Sequence, residues 1–209
     1  LVLLFNPHPA LALGMILVAS CPGGNISNFF SSISGANVSL SVTLTAVATF
    51  LSPILTPFNF DFYSRKVVQV GDFLTSFELS FFDMLETVLI LLVIPLILGV
   101  LFRKRFPHIT SKIEKPIRII SMLVLLGFIA VGLLNNLDAF LDHIGLVFLL
   151  VLVHNGAALL AGYLSGKAFG LQEDLKRTVI IETGIQNSGL GLIIIFNFFD
   201  GNGGMAMIA

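Results

Sequence analysis

The chain has 209 residues, 56% of them hydrophobic and only 11% charged, with a formal net charge of −1 and a mean hydropathy of +1.00. A soluble domain carries about 25% charged residues, so this chain cannot clothe a water-facing surface, and its apolar runs of about 20 residues read as bilayer-spanning helices. The near-neutral balance offers no footprint for nucleic acid, and Cys21, the sole cysteine, excludes an intrachain disulfide and a thiolate metal cluster.

The start at Leu1 lacks the charged opening and cleavage site of a signal peptide. At the other end the apolar run that begins at Gly203 stops at Ala209. The chain therefore reads as an internal part of a longer protein. Six spans and the beginning of a seventh are expected. Span A covers about Pro9 to Ser34 and is interrupted by CPGGNISN, Cys21 to Asn28; span B covers Asn37 to about Phe60. Spans C, D and E follow at about Asp83 to Phe102, Pro116 to Leu134 and Leu141 to Gly166. Span F, about Leu175 to Phe199, is interrupted by ETGIQNSGLG, Glu182 to Gly191, and span G has only started at Ala209.

Lysine and arginine near span ends mark the cytoplasmic side. Arg103, Lys104, Arg105, Lys112, Lys115 and Arg118 lie between C and D, and Lys167, Lys176 and Arg177 between E and F, so nine of the eleven basic residues fall on one side under strict alternation. The two interrupted spans stand five apart and cross in opposite directions, which predicts two five-helix repeats of inverted topology. The first repeat would lack its three opening helices here. That would place roughly 90 residues before Leu1, at about 30 per helix with its loop, of which about 20 form the span.

Glu182 is the one acidic residue of twelve set well inside a span, where a charge costs about 2.5 to 3.5 kcal/mol on insertion scales. No basic residue lies deep in a span to pair with it, so a bound cation is the favoured reading over a protonated or ion-paired carboxyl. Gly184, Gly189 and Gly191 follow; glycine costs about 1 kcal/mol in a helix interior, so the helix is expected to unwind here. Freed carbonyls with Glu182, Gln186 and Asn187 make an all-oxygen setting for a hard cation, without the histidine or thiolate that zinc or copper would use.

In span A, Pro22 removes a backbone donor, Gly23 and Gly24 loosen the chain, and Asn25, Ser27 and Asn28 supply polar groups as the helix restarts. The restart directs a positive dipole end at the break, which suits an anion; a simple kink is the alternative. In span B, Ser41, Thr45, Thr49, Ser52 and Thr56 make one helical face hydroxylic. Close helix packing explains such a stripe at least as readily as a site does. His154, beside Asn155 in span E, is read first as a hydrogen-bonded packing residue and second as a proton relay. Asn25 and Asn37 open glycosylation patterns, which are discounted because one lies at membrane depth and the other on the cytoplasmic side.

CPGGNISN, with NVSLSVTLTA and LSPILTP in span B and ETGIQNSGLG in span F, resembles the bile acid:sodium symporter family over the whole chain, from its fourth helix to the start of its tenth. The resemblance implies an all-α transmembrane fold with two crossed, broken helices. Residues 1–62 and 141–209 would belong to a core domain and 83–136 to a panel domain that moves against it. It implies one sodium site from Ser27, Asn28, Ser41, Thr45 and Glu182, and a second from Glu182 and Gln186 with carbonyls near Thr183 and Ile185, completed by a glutamine outside this chain. Substrate would meet Gly24, Asn25 and Asn187; Asn25 departs from the threonine common there. Sodium as coupling ion, a small organic anion as substrate, a lipid bilayer and a bacterial inner (plasma) membrane are the implied partners and place, with no organic cofactor and no enzymatic activity; monomer or oligomer stays open. A proton-coupled or uniporting carrier and a non-transporting sensor of the same fold are the alternatives.

Overall fold

The computed structural model describes residues 1–67, 81–135 and 137–199; span G lies outside the described residues. The architecture is all-α, with one isolated antiparallel bridge, Gly23 to Gln186, as the sole β-type pairing among the described residues. The helices in chain order are α1 (Val2–Phe5), α2 (Pro9–Ser20), α3 (Asn25–Ile33), α4 (Val38–Ser64), α5 (Phe81–Arg105), α6 (Pro107–Asn135), α7 (Leu137–Ala168), α8 (Glu173–Gly184) and α9 (Ser188–Phe198).

Both expected interruptions are present. Span A is α2 plus α3, parted at Cys21–Gly24, and span F is α8 plus α9, parted at Ile185–Asn187. The second break is shorter than the glycines suggest, because Gly189 and Gly191 are helical. Gly184, the last residue of α8, leaves room for its neighbour: a Cβ there would strike the side chain of Leu159.

Span B is α4, capped by Asn37, whose Oδ1 accepts from the Leu40 amide at 2.9 Å. Pro53 and Pro57 sit inside it. Proline 53 cannot donate to the carbonyl of Thr49, and the Ser52 hydroxyl supplies that bond at 2.7 Å, so part of the hydroxyl stripe mends the helix. Span C is α5, with a π-helical turn at Leu89–Val93 just before Pro95; the wider turn makes room for the proline ring.

Span D starts nine residues earlier than its apolar run. Pro107 opens α6 and Pro116 lies within it, at an exposed stretch where water can satisfy the carbonyl that Pro116 leaves unbonded. The basic residues Lys112, Lys115 and Arg118 are therefore helical, and Arg118 pairs with Glu114 at 2.7 Å.

Leu13 and Leu17 of α2, Phe60 of α4, Val88 of α5, Ile194 and Ile195 of α9, and Phe199 form the buried apolar core, with Phe60 and Phe199 edge to face at 5.8 Å. On α7, Gly162 and Gly166 let α8 approach. A Cβ at Gly162 would lie 2.8 Å from the Ile180 Cα, and one at Gly166 2.7 Å from Lys176 Cγ. This small-xxx-small spacing is how membrane helices bring backbones together.

Three helices are long and apolar enough to cross a membrane among the described residues, Val38–Ser64, Phe81–Arg105 and Val147–Ala168. Large apolar side chains such as Ile97 and Leu123 point outward on α5 and α6. In water such a surface would aggregate; the chain is an integral membrane protein. The shorter apolar helices α2 and α9 span about 18 Å each at most, and neither alone matches the hydrocarbon core of about 30 Å.

Candidate cation site where two broken helices cross

The two breaks touch, and each satisfies the other's backbone. The Gly24 amide donates to the Ile185 carbonyl at 3.2 Å, and the Asn187 amide donates to the Pro22 carbonyl at 2.8 Å. Unwound backbone at membrane depth must find such partners. A Cβ at Gly24 would stand 3.2 Å from the Gln186 carbonyl oxygen, and one at Gly23 would stand 2.5 Å from Glu182 Oε1. Glycine at 23 therefore makes room for the carboxylate itself.

Glu182, in the last turn of α8, is half-buried and ringed by hydroxyls. Ser27 Oγ lies 2.6 Å from Oε2, Ser41 Oγ 3.2 Å from Oε2 and Thr45 Oγ1 2.5 Å from Oε1. Ser27 and Ser41 are fully buried and Thr45 nearly so. None of the ion pairs among the described residues involves Glu182.

Protons are scarce in this cluster. Ser27 Oγ also stands 2.6 Å from the Gly24 carbonyl, and Thr45 Oγ1 stands 3.0 Å from the Ser41 carbonyl and 3.3 Å from Asn28 Oδ1. Each hydroxyl has one proton, so acceptors outnumber donors. An excess of oxygen lone pairs around a carboxylate is the setting a hard cation fills.

Ser27, Asn28, Ser41, Thr45 and Glu182 are thus brought together from α3, α4 and α8. The remaining expected residues are arranged around the second break. Gln186 Nε2 donates to the Thr183 carbonyl at 3.2 Å, and the Ile185 carbonyl accepts from Gly24. Asn187 Oδ1 caps α9 by accepting from the Leu190 amide at 3.1 Å. Gly24 is buried at the crossing, and Asn25 opens α3 with its side chain outside the described residues.

Ser31 was not anticipated. It is fully buried and its Oγ is 3.1 Å from Ser41 Oγ; its signal was the spacing of four from Ser27 on one helix face. His154 departs from expectation: its Nδ1 is buried without a hydrogen-bond partner among the described residues. It borders a cavity of about 620 Å³ shared with Ser20, Asn59, Tyr63 and Lys66, away from Glu182.

Two crossed half-helix pairs around a half-buried carboxylate, with no basic partner among the described residues, define a class of helical membrane protein built on broken, crossing helices. The profile of the Sodium Bile acid symporter family matches residues 1–143, and the chain belongs to that family. It is 31% identical over 90% of its length to the Bacillus subtilis "Uncharacterized sodium-dependent transporter YocS", covering 57% of that protein. It is 30% identical over 94% of its length to the Arabidopsis thaliana "Probable sodium/metabolite cotransporter BASS1, chloroplastic", covering 47%. With the mouse "Sodium/bile acid cotransporter 4" the identity is 29% over 93% of the chain and 44% of the relative. The chain therefore spans about half the length of these relatives, whose names describe transporters.

Proposed function

We propose that the whole protein is a sodium-coupled symporter of a small organic anion. The observation that carries this reading is the hydroxyl-ringed Glu182, a carboxylate with three hydroxyl oxygens within 3.2 Å and no basic partner among the described residues. One sodium ion would be held by Ser27, Asn28, Ser41, Thr45 and Glu182. A second would take Glu182 and Gln186 with the Thr183 and Ile185 carbonyls. The anion would bind in front of the crossing, at Gly24, Asn25 and Asn187, where α3 and α9 both begin and present their positive ends.

Sodium neutralises Glu182 and holds the two breaks in one arrangement, and the panel helices in 83–136 rock against the core to expose the site to either side. The relatives named as sodium-dependent transporters support the coupling ion. An inside-negative potential adds about 2.3 kcal/mol per net charge per 100 mV, so two sodium ions with a monoanion would move with the field.

The test is uptake of candidate anions into proteoliposomes holding the full-length protein, with and without an inward sodium gradient. Uptake should require sodium, and Glu182→Gln should reduce it at least 100-fold while the protein still folds. Uptake that ignores sodium and follows a proton gradient would move the role of Glu182 to protonation.

A further inference from the structure

On the cytoplasmic side of the carboxylate, α4 and α8 run parallel and share a second polar contact that cation binding does not use. Asn37, Ser41 and Thr45 recur every four residues on α4 and its cap. Asp174, Thr178 and Glu182 recur every four on α8. Residues at this spacing form one helix face, so the two faces meet as a ladder whose upper rungs are the bonds from Ser41 and Thr45 to Glu182.

Its lower rung is Asn37. The Asn37 amide donates to Thr178 Oγ1 at 2.8 Å, and Asn37 Nδ2 donates to Asp174 Oδ2 at 3.3 Å. Thr178 Oγ1 in turn lies 3.2 Å from the Asn37 carbonyl and 2.9 Å from the Asp174 carbonyl. Thr178 is fully buried. Beside it, Arg177 Nη1 donates to the Ser34 carbonyl at 3.2 Å, next to Gly35 at a φ of 68°, so the whole α3–α4 turn is tied to α8.

We propose that Thr178, with Asn37 and Asp174, is a positioning cluster that fixes the register of α4 on α8 and so sets the distance of Ser41 and Thr45 from Glu182. This rests on the cation reading of Glu182. At a rise of 1.5 Å per residue, Thr45 lies only about 12 Å up the helix from Asn37, and a helix carries an axial slip over that length undiminished. Small side chains along the contact resist sliding poorly, whereas the hydrogen bonds that join Asn37 to Thr178 and Asp174 at its foot resist it directly. An ion site tolerates about 0.5 Å of misplacement. Loss of the Thr178 hydroxyl therefore weakens cation binding from a position that touches neither ion nor anion.

The experiment uses the full-length protein in proteoliposomes and compares Thr178→Val, which keeps the shape and removes the hydroxyl, with Thr178→Ser, which keeps the hydroxyl. Thr178→Val is expected to raise the sodium concentration for half-maximal uptake at least tenfold. Anion KM at saturating sodium and maximal rate should stay within about twofold, and Thr178→Ser should return sodium affinity to within about threefold of the parent. Unchanged sodium dependence in Thr178→Val, or an equal loss of rate and thermal stability that Thr178→Ser does not rescue, overturns the proposal. If Thr178→Val fails to accumulate, Asp174→Leu removes only the outer bond, and an unchanged sodium requirement there overturns it as well. Parent uptake that needs sodium and is lost in Glu182→Gln keeps the cation reading intact whatever Thr178→Val does. Parent uptake that follows protons instead defeats that reading alone; Thr178→Val is then read on the pH of half-maximal uptake, where a shift of a unit or more supports the cluster and no shift overturns it.

Discussion

The crossing of α2–α3 with α8–α9 and the hairpin of α5 and α6 meet the same solvent problem in opposite ways. In the hairpin, helices of 25 and 29 residues keep their backbone bonds internal except around Pro95 and Pro116, and outward apolar side chains such as Ile97 and Leu123 cover them. At the crossing the helices stop at Ser20 and Gly184, and the released polar groups are matched one by one, Gly24 to Ile185 and Asn187 to Pro22. A lipid-facing surface needs only to be apolar and tolerates many sequences. A polar crossing depends on individual atoms, and the steric room at Gly23 is as necessary as the charge at Glu182.

That contrast can be broken first at Gly23. Gly23→Ala would put a methyl 2.5 Å from Glu182 Oε1, and backbone and carboxylate cannot both stay in place. Sodium-dependent uptake by the full-length variant should fall at least tenfold, with the loss in sodium affinity; parental affinity would mean the carboxylate is free to move. A smaller effect is expected at Gly162, where Gly162→Leu collides with the backbone of α8 at Ile180 and Val179. Overpacking costs about 1 to 3 kcal/mol, seen as a lowered melting temperature in detergent with sodium affinity in the surviving protein changed less than at Gly23. The smallest is Leu123→Ala on the outward face of α6, expected to leave uptake within about twofold. A loss there as large as at Gly23 would show that α6 makes specific contacts and that the contrast is false.

The crossing was more legible in the sequence than the elements that hold it. Proline and paired glycine in an apolar run, and a carboxylate in another, violate the rule for a membrane helix so plainly that Pro22 and Glu182 mark both breaks. The hydroxyl stripe of span B was visible as a face, but not its division of labour: Ser41 and Thr45 serve Glu182, while Ser52 mends the proline at 53. Gly189 and Gly191 misled, since glycine permits unwinding without requiring it and their neighbours stay helical.

Asn37, Asp174 and Thr178 were hidden for a different reason. Polar residues at the ends of apolar runs look like ordinary solvated punctuation, and only the fold sets two such loops 137 positions apart against each other. Gly162 and Gly166 carry a readable small-xxx-small spacing, but only the fold shows that α8 is the helix they admit. The early start of α6 is obscured because Pro116 looks like a boundary, and a proline within an exposed stretch of helix is not one.

Glu173 at the start of α8 shows what the exposed polar ends contribute. A hydrogen bond from Lys176, and secondarily its charge, hold the Glu173 carboxyl below the usual range. Its folded value is depressed, so any contribution is present above the ordinary glutamate range and fades as pH falls through the lower value. On a fully exposed side chain it is weak, in keeping with an end that trims α8 while the buried rungs fix it.

The paired bonds between the breaks carry a consequence for inheritance. Each interruption is the other's complement: a substitution that straightened one span would strand an amide and a carbonyl of the other in hydrocarbon. The two halves of the chain therefore cannot drift separately at this point, and a lineage that altered the break in one would have to alter its counterpart to keep a working molecule.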